Sequence, residues 1–295
     1  MASGTIDVDG SATRALGRLA ARFVRRAARA LDSPERSHMS VHAARKDLKR
    51  ARTVLCLLRP ALGERSYRRE NAVLRDAAHF LNAARDARMV TETLQSLRRS
   101  IPALRGDPGV AELLGALQAE QASVQRRFDE HPEDLARTQR ALRQLYRRAD
   151  DWRVRRHGWS LLAPALKRMY ARGRRRLPIT GQHASDASLH EWRKQLKYLR
   201  YALEMLKPVR PGKLARLARQ AEQLTDKLGQ AHDLAVLAQK AHGFANRNGV
   251  HLEPLFTIID RRRNRLAVVS LRSGEKFFAC RPRDWERQLS RYWRR

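Results

Sequence analysis

Apolar residues recur along this chain at spacings of three and four, and no run of strand length alternates with a period of two. Leu16, Leu19, Ala20, Phe23, Val24, Ala27 and Leu31 predict a first helix from about residue 11 to 31, capped by Ser11 or Thr13. Arg14, Arg18, Arg22, Arg25 and Arg29 fall on another side of it, within roughly 80° of each other. Ser33, Pro34 and Glu35 read as the next helix start. That helix carries Val41, Ala44, Leu48, Ala51, Val54, Leu55 and Leu58 on one face, and Pro60 is expected to stop it. Further helices are predicted from Gly63 through Leu81, over 89–97, and at about 110–129 and 133–149.

The second half reads the same way. Leu161, Leu162, Leu166, Met169 and Tyr170 predict a helix over 159–176, ending in Arg172, Arg174, Arg175 and Arg176; residues 178–185 read as a linker. A helix at about 186–207 stops at Pro208, and one through Leu214, Leu217, Ala221, Leu224 and Leu228 is interrupted by Gly229. Helices at about 231–246, 252–272 and 283–294 complete the chain. Residues 266–271 have β-propensity but sit in a helical context. The expected fold is all-α.

The halves share more than their order. Residues 41–60 (VHAARKDLKRARTVLCLLRP) and 189–208 (LHEWRKQLKYLRYALEMLKP) fit one pattern, H-x-x-R-K-x-L-K-x-x-R-x-x-L-x-x-L-x-P. His42 and His190 stand 148 residues apart, Arg85-Asp86 and His232-Asp233 stand 147 apart, and Pro132 and Pro282 stand 150 apart. A near-constant offset predicts a tandem duplication, with two pseudo-symmetric helical bundles at 11–150 and 151–295. At 100° per residue, His42, Arg45, Lys46, Lys49 and Arg52 share an arc of roughly 120° opposite the Leu/Val stripe. His190, Arg193, Lys194, Lys197 and Arg200 do the same in the second copy. Two equal cationic faces, each opened by a histidine, predict one site shared between the halves.

Charge narrows the partner. The 295 residues hold 62 Lys and Arg against 30 Asp and Glu, a net +32. Such self-repulsion selects polyanionic partners: nucleic acid, an anionic surface or a phosphate polymer. The cations run along the whole chain, which excludes a neutral enzyme with a basic tail. Cys56 and Cys280 make neither a disulfide framework nor a zinc set, and they suit a reducing cytoplasm. No signal peptide and no apolar run of membrane-spanning length is read.

The paired histidine–arginine–lysine helices, the Arg85-Asp86 and His232-Asp233 elements after them and the duplicated helical layout resemble the CHAD family, from about residue 11 to the end. The resemblance implies two helical bundles flanking a basic cavity that binds inorganic polyphosphate, in some members at polyphosphate granules. Carried over, it places the ligand at His42, Arg45, Lys46, Lys49, Arg52, His190, Arg193, Lys194, Lys197 and Arg200. Arg14, Arg18, Arg22, Arg25, Arg85 and His232 are further candidates for phosphate contact. Many relatives are fused to a triphosphate-processing domain. The short stretch before the first helix leaves no room for one, so no catalysis is expected.

The chemistry fits. A phosphate chain offers only oxygen acceptors, which forked guanidinium and ammonium groups on helical spacing meet directly. The histidines read as donors to phosphate, whose protonation the ligand favours. Two histidines without nearby carboxylate or cysteine ligands make no metal set, and no phosphate-binding Gly-Lys-Ser/Thr loop accompanies them. No metal or cofactor is expected. Asp86 and Asp233 read as residues that orient an arginine or cap a helix, and Trp192 and Tyr198 as seam residues. The alternatives are a basic nucleic-acid-binding protein and an enzyme or regulator of phosphate-polymer metabolism. The first lacks a groove-reading motif and the interleaved aromatics of a single-strand binder; the second lacks a carboxylate cluster.

Overall fold

A computed structural model describes residues 12–32, 38–150, 152, 158–178 and 184–293, with side chains for all of these but 12–14, 38, 39 and 150. Among the described residues there are eleven α-helices and no strand. The first six are α1 (Ala12–Asp32), α2 (His38–Leu62), α3 (Glu64–Phe80), α4 (Asn82–Ser100), α5 (Pro108–Glu130) and α6 (Pro132–Asp150). The rest are α7 (Trp159–Arg175), α8 (Asp186–Leu206), α9 (Pro211–Asn248), α10 (Glu253–Phe277) and α11 (Pro282–Trp293). The expected helix start at Ser33 to Glu35, the Ser11 cap and most of the linker lie outside the described residues.

The apolar stripes drive the packing. Leu48, Val54, Leu55 and Leu58 of α2 and Leu196, Leu199 and Leu203 of α8 are fully buried, which leaves the polar arcs of both helices to face elsewhere. At about 25 cal/mol per Å² of apolar area, each such side chain contributes roughly 1.5–3 kcal/mol, an upper estimate against an extended chain. The buried residues form two clusters. The larger joins α1, α2, α3, α6, α7, α8, α11, the first part of α9 and Leu271 near the end of α10. The smaller joins α4, α5, α10 and the second part of α9. Each cluster takes side chains from both halves of the sequence, so neither coincides with residues 11–150 or 151–295.

Helix boundaries differ from expectation at Pro60 and at Gly229. Pro60 lies inside α2, which runs on to Leu62. Its ring satisfies the helical φ and only one hydrogen bond is lost near the helix end, so the stop falls at Gly63, whose φ of 75° suits glycine. In the second copy α8 ends at Leu206, ahead of a 3₁₀ turn containing Pro208. Gly229 does not interrupt: α9 is one helix of 38 residues passing straight through it. The chain instead breaks at the matching place in the first half, where Leu81 separates α3 from α4. Residues 266–271 are helical within α10. Trp192 is a core residue, fully buried. Cys56 is half-buried, with its sulfur 3.5 Å from the Tyr67 hydroxyl, and Cys280 is exposed.

Candidate functional site

The polar arcs of α2 and α8 face a cleft of about 690 Å³, which α3, α4 and α9 complete. Helical spacing of three and four sets Arg45, Lys49 and Arg52 on one face of α2 and His190, Arg193, Lys194 and Lys197 on one face of α8. All seven line the cleft, as do Arg85 from α4 and His232 from α9.

The groups are not equally engaged. Arg45 is almost fully buried; its guanidinium donates to the Ala78 carbonyl at 3.0 Å and to the Asn82 carboxamide, across the break between α3 and α4. Arg193 holds the matching position of the second motif, but the residue it packs against is Gly229 rather than Asn82. A side chain there would meet the Arg193 guanidinium: a Cβ would stand 3.0 Å from Nη2. Arg193 Nε is buried and has no hydrogen-bond partner among the described residues, and nor has His190 Nδ1. The His190 and His232 rings lie 4.2 Å apart, tilted by 39°. Arg85 bonds Asp86 at 2.9 Å and approaches Asp233 at 3.8 Å, so both carboxylates orient an arginine. Tyr198 lines the cleft with the Arg52 guanidinium 5.9 Å above its ring.

Cations crowded in a partly desolvated cleft depress each other's basicity. Burial first, then neighbouring positive charge, lowers Lys197 to about 6 and Lys49 to about 7. Lys49 is among the charges acting on Lys197, so the two matching lysines repel across the cleft. Burial and Arg85 bring Arg45 down to about 10. His232 falls to about 4, through burial and then His190, Arg193, Arg85 and Lys197; His190 and His42 are lowered for the same kind of reason. These three histidines are therefore neutral near pH 7.

Other expected residues lie elsewhere. His42 and Lys46 are exposed and outside the cleft lining, although His42 remains within electrostatic reach of Arg85, Lys49 and Arg45. Arg200 does not line the cleft. It donates to Glu204 and Asp226, each at 2.8 Å, and to Thr225 and Glu222. Three carboxylates thus surround it. Arg18, Arg22 and Arg25 are exposed on α1, outside the cleft, with Arg25 stacked 5.1 Å from the Tyr146 ring centroid. The Arg14 side chain lies outside the described residues.

The cleft also contains residues that sequence reasoning missed. Arg75 and His79 of α3 line it beside Asn82 and Asp86. Residues 75, 79, 82 and 86 follow helical spacing, and that stripe was the signal available. Its counterparts at offset 147 are Glu222, Asp226, Gly229 and Asp233. Arg75 and His79 in one half therefore match two carboxylates in the other, which is why Arg200 is neutralised while Arg52, bonded to Asn71 at 3.2 Å and to no carboxylate among the described residues, still lines the cleft. Among the described residues no three His, Cys, Asp or Glu side chains gather as a metal set, and no helix is long and apolar enough to cross a membrane.

The model of the CHAD domain family matches residues 14–242. Two solved structures share the fold. The crystal structure of the CHAD domain from the plant Ricinus communis aligns with a TM-score of 0.61 and 17% identity, over 95% of this chain and 94% of that one. PptA from Streptomyces chartreusis aligns with a TM-score of 0.59 and 17% identity, over 90% of this chain and 98% of that one. No curated protein sequence matches.

Proposed function

The chain belongs to the CHAD domain family, and from that membership and the cleft we propose that it binds inorganic polyphosphate without turning it over. The observation that carries the reading is the meeting of Lys49, Arg193, Lys197 and Arg85 in one cleft, with Arg193 Nε and His190 Nδ1 buried and unpartnered among the described residues. A chain of phosphate oxygens satisfies those donors, relieves the mutual repulsion of the cations and asks for no base recognition. We read the halves as a duplication whose pseudo-symmetry is centred on the cleft: Arg45 matches Arg193, Lys49 matches Lys197, and Arg85 matches His232. Lys46 serves as an outer cation at the rim, with the neutral His42 beside it, and Arg200 as a structural residue. No catalytic role is assigned. In a cytoplasm containing polyphosphate granules, the same affinity would bring the protein to their surface.

Calorimetric titration tests this, with long-chain polyphosphate set against duplex DNA of matched charge at moderate salt. We expect wild type to prefer polyphosphate. A Lys49→Ala, Lys194→Ala, Lys197→Ala variant should lose about 100-fold in affinity, taking roughly 1 kcal/mol for each phosphate contact. Equal binding of both polymers, unaffected by the substitutions, would sink the proposal and leave a diffusely cationic nucleic-acid binder.

A further inference from the structure

A second cavity, of about 460 Å³, lies beside the cleft and is lined by Arg172, Arg175 and Arg176 at the end of α7 and by Gln195 of α8. Gln195 lines the main cleft as well, so one side chain borders both spaces. Two electrostatic links agree with this adjacency. Arg176 acts on the Glu191 carboxyl and Arg172 on the Tyr198 hydroxyl, and both Glu191 and Tyr198 line the main cleft. The three arginines are exposed and make no salt bridge among the described residues. Arg174, their neighbour in sequence, turns away to donate to the Phe278 carbonyl at 3.1 Å. Cations in a last helical turn complement the helix dipole, but that does not account for three guanidinium groups gathered around one concavity with no ion pair among the described residues. The exposed arginines of α1 offer the contrast: Arg18, Arg22 and Arg25 border none of these cavities.

We propose that Arg172, Arg175 and Arg176 form a second phosphate subsite, entered past Gln195, which holds the continuation of a polyphosphate chain whose first phosphates occupy the cleft. The inference rests on the polyphosphate reading above and adds length selection to it. A short oligophosphate fills the cleft alone, whereas a long chain engages both spaces in one binding event and gains from the high effective concentration of the second.

The test compares tripolyphosphate with long-chain polyphosphate on three proteins: wild type, Arg172→Ala/Arg175→Ala/Arg176→Ala, and the charge-matched control Arg18→Ala/Arg22→Ala/Arg25→Ala. All the substituted side chains are exposed, and circular dichroism checks that helicity is kept. For the α7 variant we expect the long-chain Kd to rise at least 10-fold and its slope against log salt to shrink by about 2, at roughly 0.7 per released contact. Its tripolyphosphate Kd should stay within 2-fold, as should both Kd values of the control. Equal losses for both lengths, or equal losses in both variants, would reduce the cluster to general charge and overturn the proposal. No loss in the α7 variant would overturn it too. Wild type that binds neither polymer would instead defeat the polyphosphate reading, and the subsite with it.

Discussion

Arg45 and Arg193 occupy matching positions with opposite fates, because the residue across from each differs. Arg45 is tied to Asn82 and Ala78, while Arg193 packs over Gly229 with its Nε unpartnered among the described residues. Gly229→Ala should separate stability from binding. Alanine is favoured over glycine within a helix by about 1 kcal/mol, so thermal stability should hold or rise. The new methyl displaces the Arg193 guanidinium, and polyphosphate affinity should fall several-fold by calorimetry. Unchanged affinity would show that Arg193 does not contact the ligand.

Lys49 and Lys197 carry a second prediction at this scale. Their unliganded values, about 7 and about 6, lie below the ordinary lysine value. A bound polyanion favours the charged form and raises both. Binding should therefore take up protons above about pH 6, and affinity should weaken as pH rises from there. Titrations in buffers of different ionisation enthalpy measure the uptake; Lys49→Met with Lys197→Met should abolish most of it. For folding the sign is opposite in consequence. A lysine with a depressed folded value favours the fold when neutral, so its stability penalty is complete below about pH 6 and fades as pH rises toward the unfolded value. The double Met variant should accordingly melt higher than wild type near pH 7, by roughly 1–3 kcal/mol of added stability.

Among the elements, α9 shows how a glycine misleads. In the sequence Gly229 resembles a helix break, because glycine costs about 1 kcal/mol there. Its packing against Arg193 is a tertiary fact that local propensity does not contain. Pro60 is similar: a rule about single residues placed the stop two positions early, where the cost of the lost hydrogen bond was small. The apolar stripes were legible throughout, since burial of one helix face imposes the 3.6-residue period directly on the sequence. Helix contact also yields a stability prediction. A Cβ at Gly274 of α10 would stand 2.5 Å from the Trp192 ring and 2.8 Å from Leu177. Gly274→Ala should thus destabilise by about 1–3 kcal/mol through overpacking of the larger core, despite its gain in helix propensity. A melting temperature at or above wild type would refute that close packing.

The whole molecule carries a net charge of +32 and folds around a cleft whose charged lining residues are mostly cations. Salt should act on it in two directions. Without ligand, screening relieves self-repulsion, so the melting temperature should rise as salt increases from about 0.05 to 0.5 M. Over the same range polyphosphate affinity should fall steeply, linearly in log–log form. Calorimetry and thermal melts on one preparation test both; a melting temperature that falls with salt would mean that surface attractions outweigh the repulsion.

The sequence by itself determined the helical class and the paired cationic faces, since periodicity, repetition and net charge are properties of the chain. It did not determine which cations line the cleft. Arg200 repeats Arg52 in the pattern, yet Glu204, Glu222 and Asp226 enclose it. His42 repeats His190, yet it stays exposed beyond the cleft lining while His190 packs on His232. Arg75 and His79 join the site from a helix that the motif never includes. Only the tertiary structure decided these roles, because the charge a side chain presents depends on what faces it from other helices, and the partners Asn71 of Arg52, Glu222 of Arg200 and His232 of His190 stand 19 to 42 residues away in the chain.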